Sequence, residues 1–273
     1  CASVIACSSL DKTVRLFDID STKEMSCFNV DSTGDGTVSN LSWNYDGTQY
    51  ALACKDRVVR VVDPRSSSVV NQSSNEALGR NLRVEWCCDG SNACSTILTV
   101  SVGASGMRTV HVWDPRNWEQ PLCTEQVDTA SGQLYPMYDA SLGACFIAGK
   151  GDTIVRAYEM SMMAVDGSNR VAALCKKCSE FTGSGDRTTY TGVCMLPKRT
   201  CDIRNIECAK LLKLTTTSVV PVSFTLPRAD NIKTYFQDDN FRPANSSTEH
   251  HVAGDFQDWL SSRGDDVFIG PFM

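Results

Sequence analysis

An eight-residue phrase recurs four times: DKTVRLFD at 11–18, DRVVRVVD at 56–63, MRTVHVWD at 107–114 and DTIVRAYE at 152–159. Its closing acids, Asp18, Asp63, Asp114 and Glu159, are spaced by 45, 51 and 45 residues. A period of about 40 to 50 residues means one supersecondary unit used repeatedly. Such a unit cannot bury its apolar surface alone and must stack on its neighbours.

Each phrase alternates as a β-strand does, successive side chains pointing to opposite faces. In the first, Val14 and Leu16 share one face, and Thr13, Arg15 and Phe17 the other. The opening acid (Asp11, Asp56 and Asp152, with Met107 departing) stands where a turn enters the strand. A short carboxylate there accepts hydrogen bonds from turn N–H groups. Position five is Arg15, Arg60, His111 and Arg156; its recurrence marks a structural blade position. Position seven is Phe17, Val62, Trp113 and Tyr158, bulky and β-favouring.

A second apolar run precedes each phrase: SVIACSS at 3–9, YALACK at 50–55, STILTVSV at 95–102 and ACFIAGK at 144–150. A third lies earlier still: VSNLSWNYDG at 38–47, LRVEWCCDG at 82–90 and QLYPMYDAS at 133–141. Their D-G and D-A-S endings are turn signals. Each unit therefore reads as three or four antiparallel strands. The expected fold is all-β, a WD-repeat β-propeller, in preference to a sandwich with coincidental spacing. A weaker fifth copy is expected around 195–214.

Hydrophobic content of 42% supports a real core, and no apolar run approaches the roughly 18 residues that span a bilayer. No secretory pattern opens the chain, although a start at Cys1, in mid-blade, points to a sequence incomplete at its N-terminus. Fourteen cysteines are many, yet the chain is neither short nor loop-rich, so a disulfide framework is disfavoured. Cys7, Cys54, Cys94 and Cys145 sit in apolar strand patterns and are expected to be buried, reduced thiols. Of the net charge of −6, residues 230–273 carry −5, from eight acids and three bases. The remaining residues are nearly neutral, and no strongly basic face argues for nucleic acid.

From residue 38 onward the phrasing is similar to the coronin family. SWNYDG at 42–47 with CKDRVVRVVDPR at 54–65 resembles one coronin blade. The longest match is VWDPRNWEQPLCTEQVDTASGQLYPMYDA at 112–140, running into IAGKGDTIVRAYEM at 147–160. MLPKRTCDIRNIECAKLLKL at 195–214, VPVSFTLPRADN at 220–231 and DFQDWLSSRGDD at 255–266 continue it in order. Departures are SVGASGMRTVHVWD at 101–114, in the blade around 95–110, Thr200 where the family usually has Gly, and the loosely matched 161–170.

The resemblance implies a seven-bladed propeller of which about five blades are present. It divides the chain into a partial propeller over 1–229 and an extension over 230–273 that docks back on it. In that extension, Phe256, Trp259 and Leu260 would share one face of a short helix at 254–263. It implies filamentous actin as partner, a cytoplasmic place on the actin cytoskeleton, and action by binding. In the full-length protein a coiled coil outside this sequence would engage the branched-actin nucleating complex. A general WD scaffold for another complex is the alternative. Exposed bases are the actin-binding candidates: Lys55, Arg57, Arg65, Lys150, Lys198 and Arg199. A solvated rim charge or an intrablade ion pair is the competing role for each. A ring without its closing strand would leave an unpaired sheet edge, which predicts marginal stability for this stretch alone.

Other motifs carry little. GACFIAGKGD at 143–152 lacks the spacing and the Ser or Thr of a phosphate loop, and reads as a β-turn. Cys175 and Cys178 have knuckle spacing, but Cys194 and Cys201 make no second close pair, so no metal site is expected. His250 and His251 lie in a polar tail. No nucleophile elbow or acid–base constellation emerges, so neither a catalytic residue nor a cofactor is assigned.

Overall fold

The computed structural model describes residues 4–30, 34–73, 78–87, 96–165, 170–182, 188–202 and 205–225. Their strands form five antiparallel sheets. The first contains β1 (Val4–Ser8), β2 (Thr13–Asp18) and β3 (Glu24–Asn29), in that order. The second is β4 (Val38–Trp43), β5 (Tyr50–Cys54), β6 (Val59–Asp63) and β7 (Ser68–Gln72). The third is β8 (Arg80–Cys87), β9 (Thr96–Val102), β10 (Met107–Trp113) and β11 (Cys123–Thr129). The fourth is β12 (Leu134–Asp139), β13 (Ala144–Gly149), β14 (Ile154–Val165) and β15 (Arg170–Thr182). The fifth is β16 (Gly192–Met195), β17 (Glu207–Leu214) and β18 (Val219–Thr225).

The recurring phrase is β6, β10 and the start of β14, the third strand of the four-stranded blades, and β2, the middle strand of the three described in the first blade. Its neighbours β1, β5, β9 and β13 are the apolar runs that precede it, paired antiparallel. The first strands, β4, β8, β12 and β16, face one another around a central channel. Hydrogen bonds between blades fix β4 to β8. Ser39 Oγ donates to Leu82 O at 2.9 Å, Asn40 Oδ1 accepts from Val84 N at 2.7 Å, and Ser42 Oγ accepts from Trp86 N at 3.1 Å. Side chains thus complete backbone pairing where the ladder of a single sheet ends.

The expected fifth copy at 195–214 needs correction. In the fifth blade β16 is the channel strand, so β17 occupies the second position, not the third. Its pairing on both sides, to β16 and β18, gives it the apolar character that imitates the phrase.

The core lies between blades. One cluster joins Val14 and Leu16 to Tyr50 and Leu52, a second joins Ala51 and Val61 to Val84 and Trp113. A third joins Leu98 and Val110 to Ile147 and Tyr158, a fourth Phe146 and Val155 to Leu211 and Phe224. Each blade is an interlayer, so β5 and β9 are buried on both faces throughout. The first blade has a described neighbour on one face only. Cys7 is accordingly exposed, against expectation, whereas Cys54 and Cys145 are buried; Cys94 lies outside the described residues. All cysteines among the described residues are free thiols.

The extension at 230–273, including 254–263, also lies outside the described residues. Among the described residues no helix is long and apolar enough to cross a membrane.

Candidate functional site

Antiparallel strands place alternate connections at opposite ends of a blade. The turns between second and third strands, around 9–12, 54–57, 103–106 and 149–152, lie at one end of the propeller. The first-to-second and third-to-fourth turns lie at the other. The six basic candidates therefore do not form one patch. Lys55, Arg57 and Lys150 are at the first end; Arg65, Lys198 and Arg199 are at the second.

At the first end the turns are tight and the bases stand clear. Arg57 N donates to Cys54 O at 3.1 Å, and Arg57 adopts a φ of 66°. Lys12 holds the equivalent place in the first blade, at a φ of 64° with its N donating to Ser9 O at 3.3 Å. It is the second residue of the phrase, as Arg57 is, and that shared position is the signal that identifies it. Lys55 N and Lys150 N donate to Thr37 O and Gln133 O, pinning each turn to the entry of its channel strand. The side chains of Lys55, Arg57 and Lys150 are exposed, whereas Lys12 is half-buried with its Nζ donating to Gly34 O at 3.4 Å. Lys55 and Lys12 share the field of Asp35, whose carboxyl is held low chiefly by hydrogen bonds from Thr37.

The other acids at this end are occupied by bases of their own or the neighbouring blade. Asp11 takes hydrogen bonds from Thr13 N and Oγ1, which lower its pKa, and lies 3.4 Å from Arg15. Asp56 binds buried Arg60 through both carboxylate oxygens, at 3.2 and 2.7 Å. Asp152 binds Arg156 at 3.2 Å and Arg108 of the neighbouring blade at 2.7 Å. Asp128 joins the group, bound by Arg108 and, at 2.6 Å, by Arg156. Burial would raise the Asp128 pKa, but the hydrogen bonds and charge of the two arginines hold it below the ordinary value. Arg15, Arg60 and Arg156 therefore spend their charge within the blades.

At the opposite end Arg65, Arg116 and Lys198 are each paired with an acid. Arg65 N and Nε donate to Asp63 Oδ1 at 2.8 and 3.1 Å, its Nη2 lies 2.9 Å from Oδ2, and the Asp63 carboxyl is lowered chiefly by these side-chain bonds. Arg116 holds Asp114 in the same geometry one blade on. Lys198, on a short 3-10 turn at Lys198–Thr200, is half-buried with its Nζ 2.7 Å from Asp139 Oδ2, tying the fifth blade to the fourth. Arg199 is exposed on the same turn.

The remaining sequence positions have structural surroundings. Trp113 is fully buried and its Nε1 donates to Thr99 Oγ1 at 2.9 Å. His111 Nδ1 lies 2.9 Å from Thr124 Oγ1, and burial lowers its pKa. GACFIAGKGD forms a strand and a turn, Asp152 N donating to Gly149 O at 3.0 Å with Gly151 at a φ of 88°. Cys175 is buried and Cys178 exposed, so the two thiols do not converge, and no metal-holding cluster exists among the described residues.

Two features escaped the sequence. In the third blade the β9–β10 pairing runs two residues farther out before turning, because Gly103 N pairs with Met107 O. Met107 thereby lies in a strand, and Arg108, the counterpart of Lys12 and Arg57 in the phrase, is buried against Asp128 and Asp152. The channel also holds Arg83 and Glu85, two residues apart on β8.

Comparison with known proteins agrees with this architecture. No family model matches the chain. Coronin-A of Dictyostelium discoideum is 38% identical over 193 residues, 71% of this chain and 39% of that protein. Coronin-7 of Mus musculus is 34% identical over 241 residues, 88% of this chain and 24% of that protein. The chain thus spans well under half the length of these curated relatives. Among solved structures, the WD40 domain of Toxoplasma gondii coronin superposes with a TM-score of 0.72 at 21% identity, covering 99% of this chain and 65% of that one. That likeness concerns the fold.

Proposed function

Because this chain belongs to the coronin family, we propose that it binds filamentous actin through the propeller end that carries Lys12, Lys55, Arg57 and Lys150. It acts by contact, making and breaking no bond. The single observation that supports this end is electrostatic: apart from Asp35, the acids beneath its bases are already paired inside the blades, whereas Arg65, Arg116 and Lys198 at the other end are matched by Asp63, Asp114 and Asp139. A positive end that Asp35 offsets only in part attracts an acidic filament surface and speeds encounter with it. Arginine at the centre of such a contact carries a large share of the binding energy, which favours Arg57 as an anchor. Binding would place the protein on cytoplasmic actin filaments. Engagement of the branched-actin nucleating complex belongs to the full-length protein.

The test is co-sedimentation with actin filaments over a salt series. Reversal of Lys55 and Arg57 together to Glu is expected to weaken binding by about tenfold or more and to flatten its salt dependence. Reversal of Arg65 and Arg199 is expected to leave binding unchanged. No binding at low salt sinks the actin reading, and stoichiometric recovery of a different partner without actin favours a general WD scaffold.

A further inference from the structure

The central channel holds chemistry that the basic end does not use. An open cleft of about 310 Å³ lies there between β4, β8, β12 and β16. Arg83 projects into it with its guanidinium carbon 4.5 Å from the centroid of the Tyr135 ring. The Nε of Arg83 is buried and, among the described residues, has no hydrogen-bond partner. Burial lowers the Arg83 pKa and only Tyr135 opposes this, so no carboxylate compensates the guanidinium. A guanidinium keeps its proton at any working pH. A desolvated cation of this kind gains more from an arriving anion than a hydrated one does.

The channel walls otherwise mix polar and apolar surface. Asn40 and Ser42 are committed to the backbone of β8, and Val84, Met137, Val193 and Met195 supply apolar surface. Glu85 faces the same space. Desolvation raises its pKa to about 7, against a smaller opposing hydrogen bond with Ser42. The titratable groups around it are Arg83 on its own strand, Tyr135 and Tyr138 of β12, Cys194 of β16, and the thiols of Cys87 and Cys145, which burial pushes well above their usual range.

We propose that the channel is a binding site for a small organic carboxylate, its oxygens paired with Arg83 and its apolar body lying against Met137, Val193 and Met195. The planar guanidinium offers two parallel N–H donors to a carboxylate, and Tyr135 holds it in place through its ring face. The volume lies at the small end of ligand pockets, which run from about 300 Å³ upward, and suits an acid with a single ring. When protonated, Glu85 donates to the ligand; when ionised, it repels it. Affinity therefore rises as the pH falls through about 7.

The probe is benzoate, titrated into the whole chain at pH 6 and pH 8 and followed by ¹³C-methyl NMR of Met137 and Met195. Saturable shifts are expected, with binding at least about fivefold tighter at pH 6. Arg83→Gln is expected to weaken binding by about tenfold or more, and Glu85→Gln to bind equally at both pH values. If Arg83→Gln folds poorly, Arg83→Lys, which keeps the charge but loses the fork, replaces it and is expected to weaken binding several-fold. Inorganic phosphate is expected to leave both methyl signals unmoved. Shifts that do not saturate, undiminished binding by the Arg83 variant, or phosphate moving the same signals would each overturn the proposal.

Discussion

Arg108 Nη2, on the third blade, lies 2.7 Å from Asp152 Oδ2 in the turn that opens the repeated phrase of the fourth. The same guanidinium binds Asp128 of its own blade, and Arg156 binds both acids from the other side. Two arginines and two aspartates thus form a closed, charge-balanced ring across the boundary between two blades. Arg108 is almost wholly buried, at 1% exposure. Burial alone would lower its pKa, but the hydrogen bonds it donates to Asp128 and Asp152 more than offset that and raise it.

Arg108→Met is expected to destabilise the protein by about 3 kcal/mol, since removing one member leaves buried charge uncompensated. Urea melts at neutral pH measure this. Asp128 adds a pH signature. Its folded pKa is depressed, so its contribution is complete above the ordinary aspartate value of about 3.9 and is lost as the pH falls through the lower folded value. In Arg108→Met that acid-side loss of stability is expected to shrink.

Gly149 fits against this ring. A Cβ there would collide with the carboxylate of Asp152 and the guanidinium of Arg108. Gly149→Ala is therefore expected to cost about 1–3 kcal/mol through overpacking. In the background of Arg108→Met the penalty is expected to fall, because one of the two colliding groups is absent. Strictly additive penalties in a double-mutant cycle would contradict the shared contact.

Glu85 gives stability the opposite pH slope from Asp128. Its folded pKa of about 7 exceeds its unfolded value, so the folded state holds the extra proton between about pH 4.3 and 7. Stability is expected to decline as the pH rises across that window and to level off above it. Glu85→Gln is expected to melt with less pH dependence and, at pH 8, to be more stable on the order of 2 kcal/mol. Thermal scans at pH 5.5 and 8 compare the two proteins.

Lys198 separates structure from binding. Its Nζ bridges Asp139 and the fourth-to-fifth blade boundary, and Asp139 is itself only 8% exposed. Lys198→Met is expected to lower stability by about 1–3 kcal/mol, the cost of an unpaired buried acid. Sedimentation with actin filaments is expected to be unchanged at temperatures where the variant is folded. A loss of binding without a loss of stability would move the interaction to the other end of the propeller.

Much of the fold was legible because β-strands write their geometry locally. The phrase, its spacing and the apolar runs before it correspond to strands that pair in sequence order, so neighbours in the chain are neighbours in each sheet. The turn acids were legible for the same reason: Asp11 and Asp56 act on residues two and four positions away. The fifth sheet was harder. β17 resembles the phrase in composition, and only its pairing between β16 and β18 reveals its rank. The six candidate bases were chosen by charge and exposure, properties that say nothing about which end of a blade a turn occupies.

The sequence by itself determined the repeating unit, the alternation within each strand, the turn chemistry and the family, because all of these rest on contacts a few residues apart or on order along the chain. Tertiary structure alone decided the rest. A residue's partners across a blade boundary lie about one repeat away, as Arg108 and Asp152 do at a separation of 44, and no local pattern encodes them. It also decided which bases keep their charge for a partner, through which acids fold onto them. Lys12, Arg57 and Arg108 hold the same place in the phrase, yet Arg57 stands in solvent, Lys12 is half-buried and Arg108 is wholly buried, because in the third blade the turn begins two residues farther out.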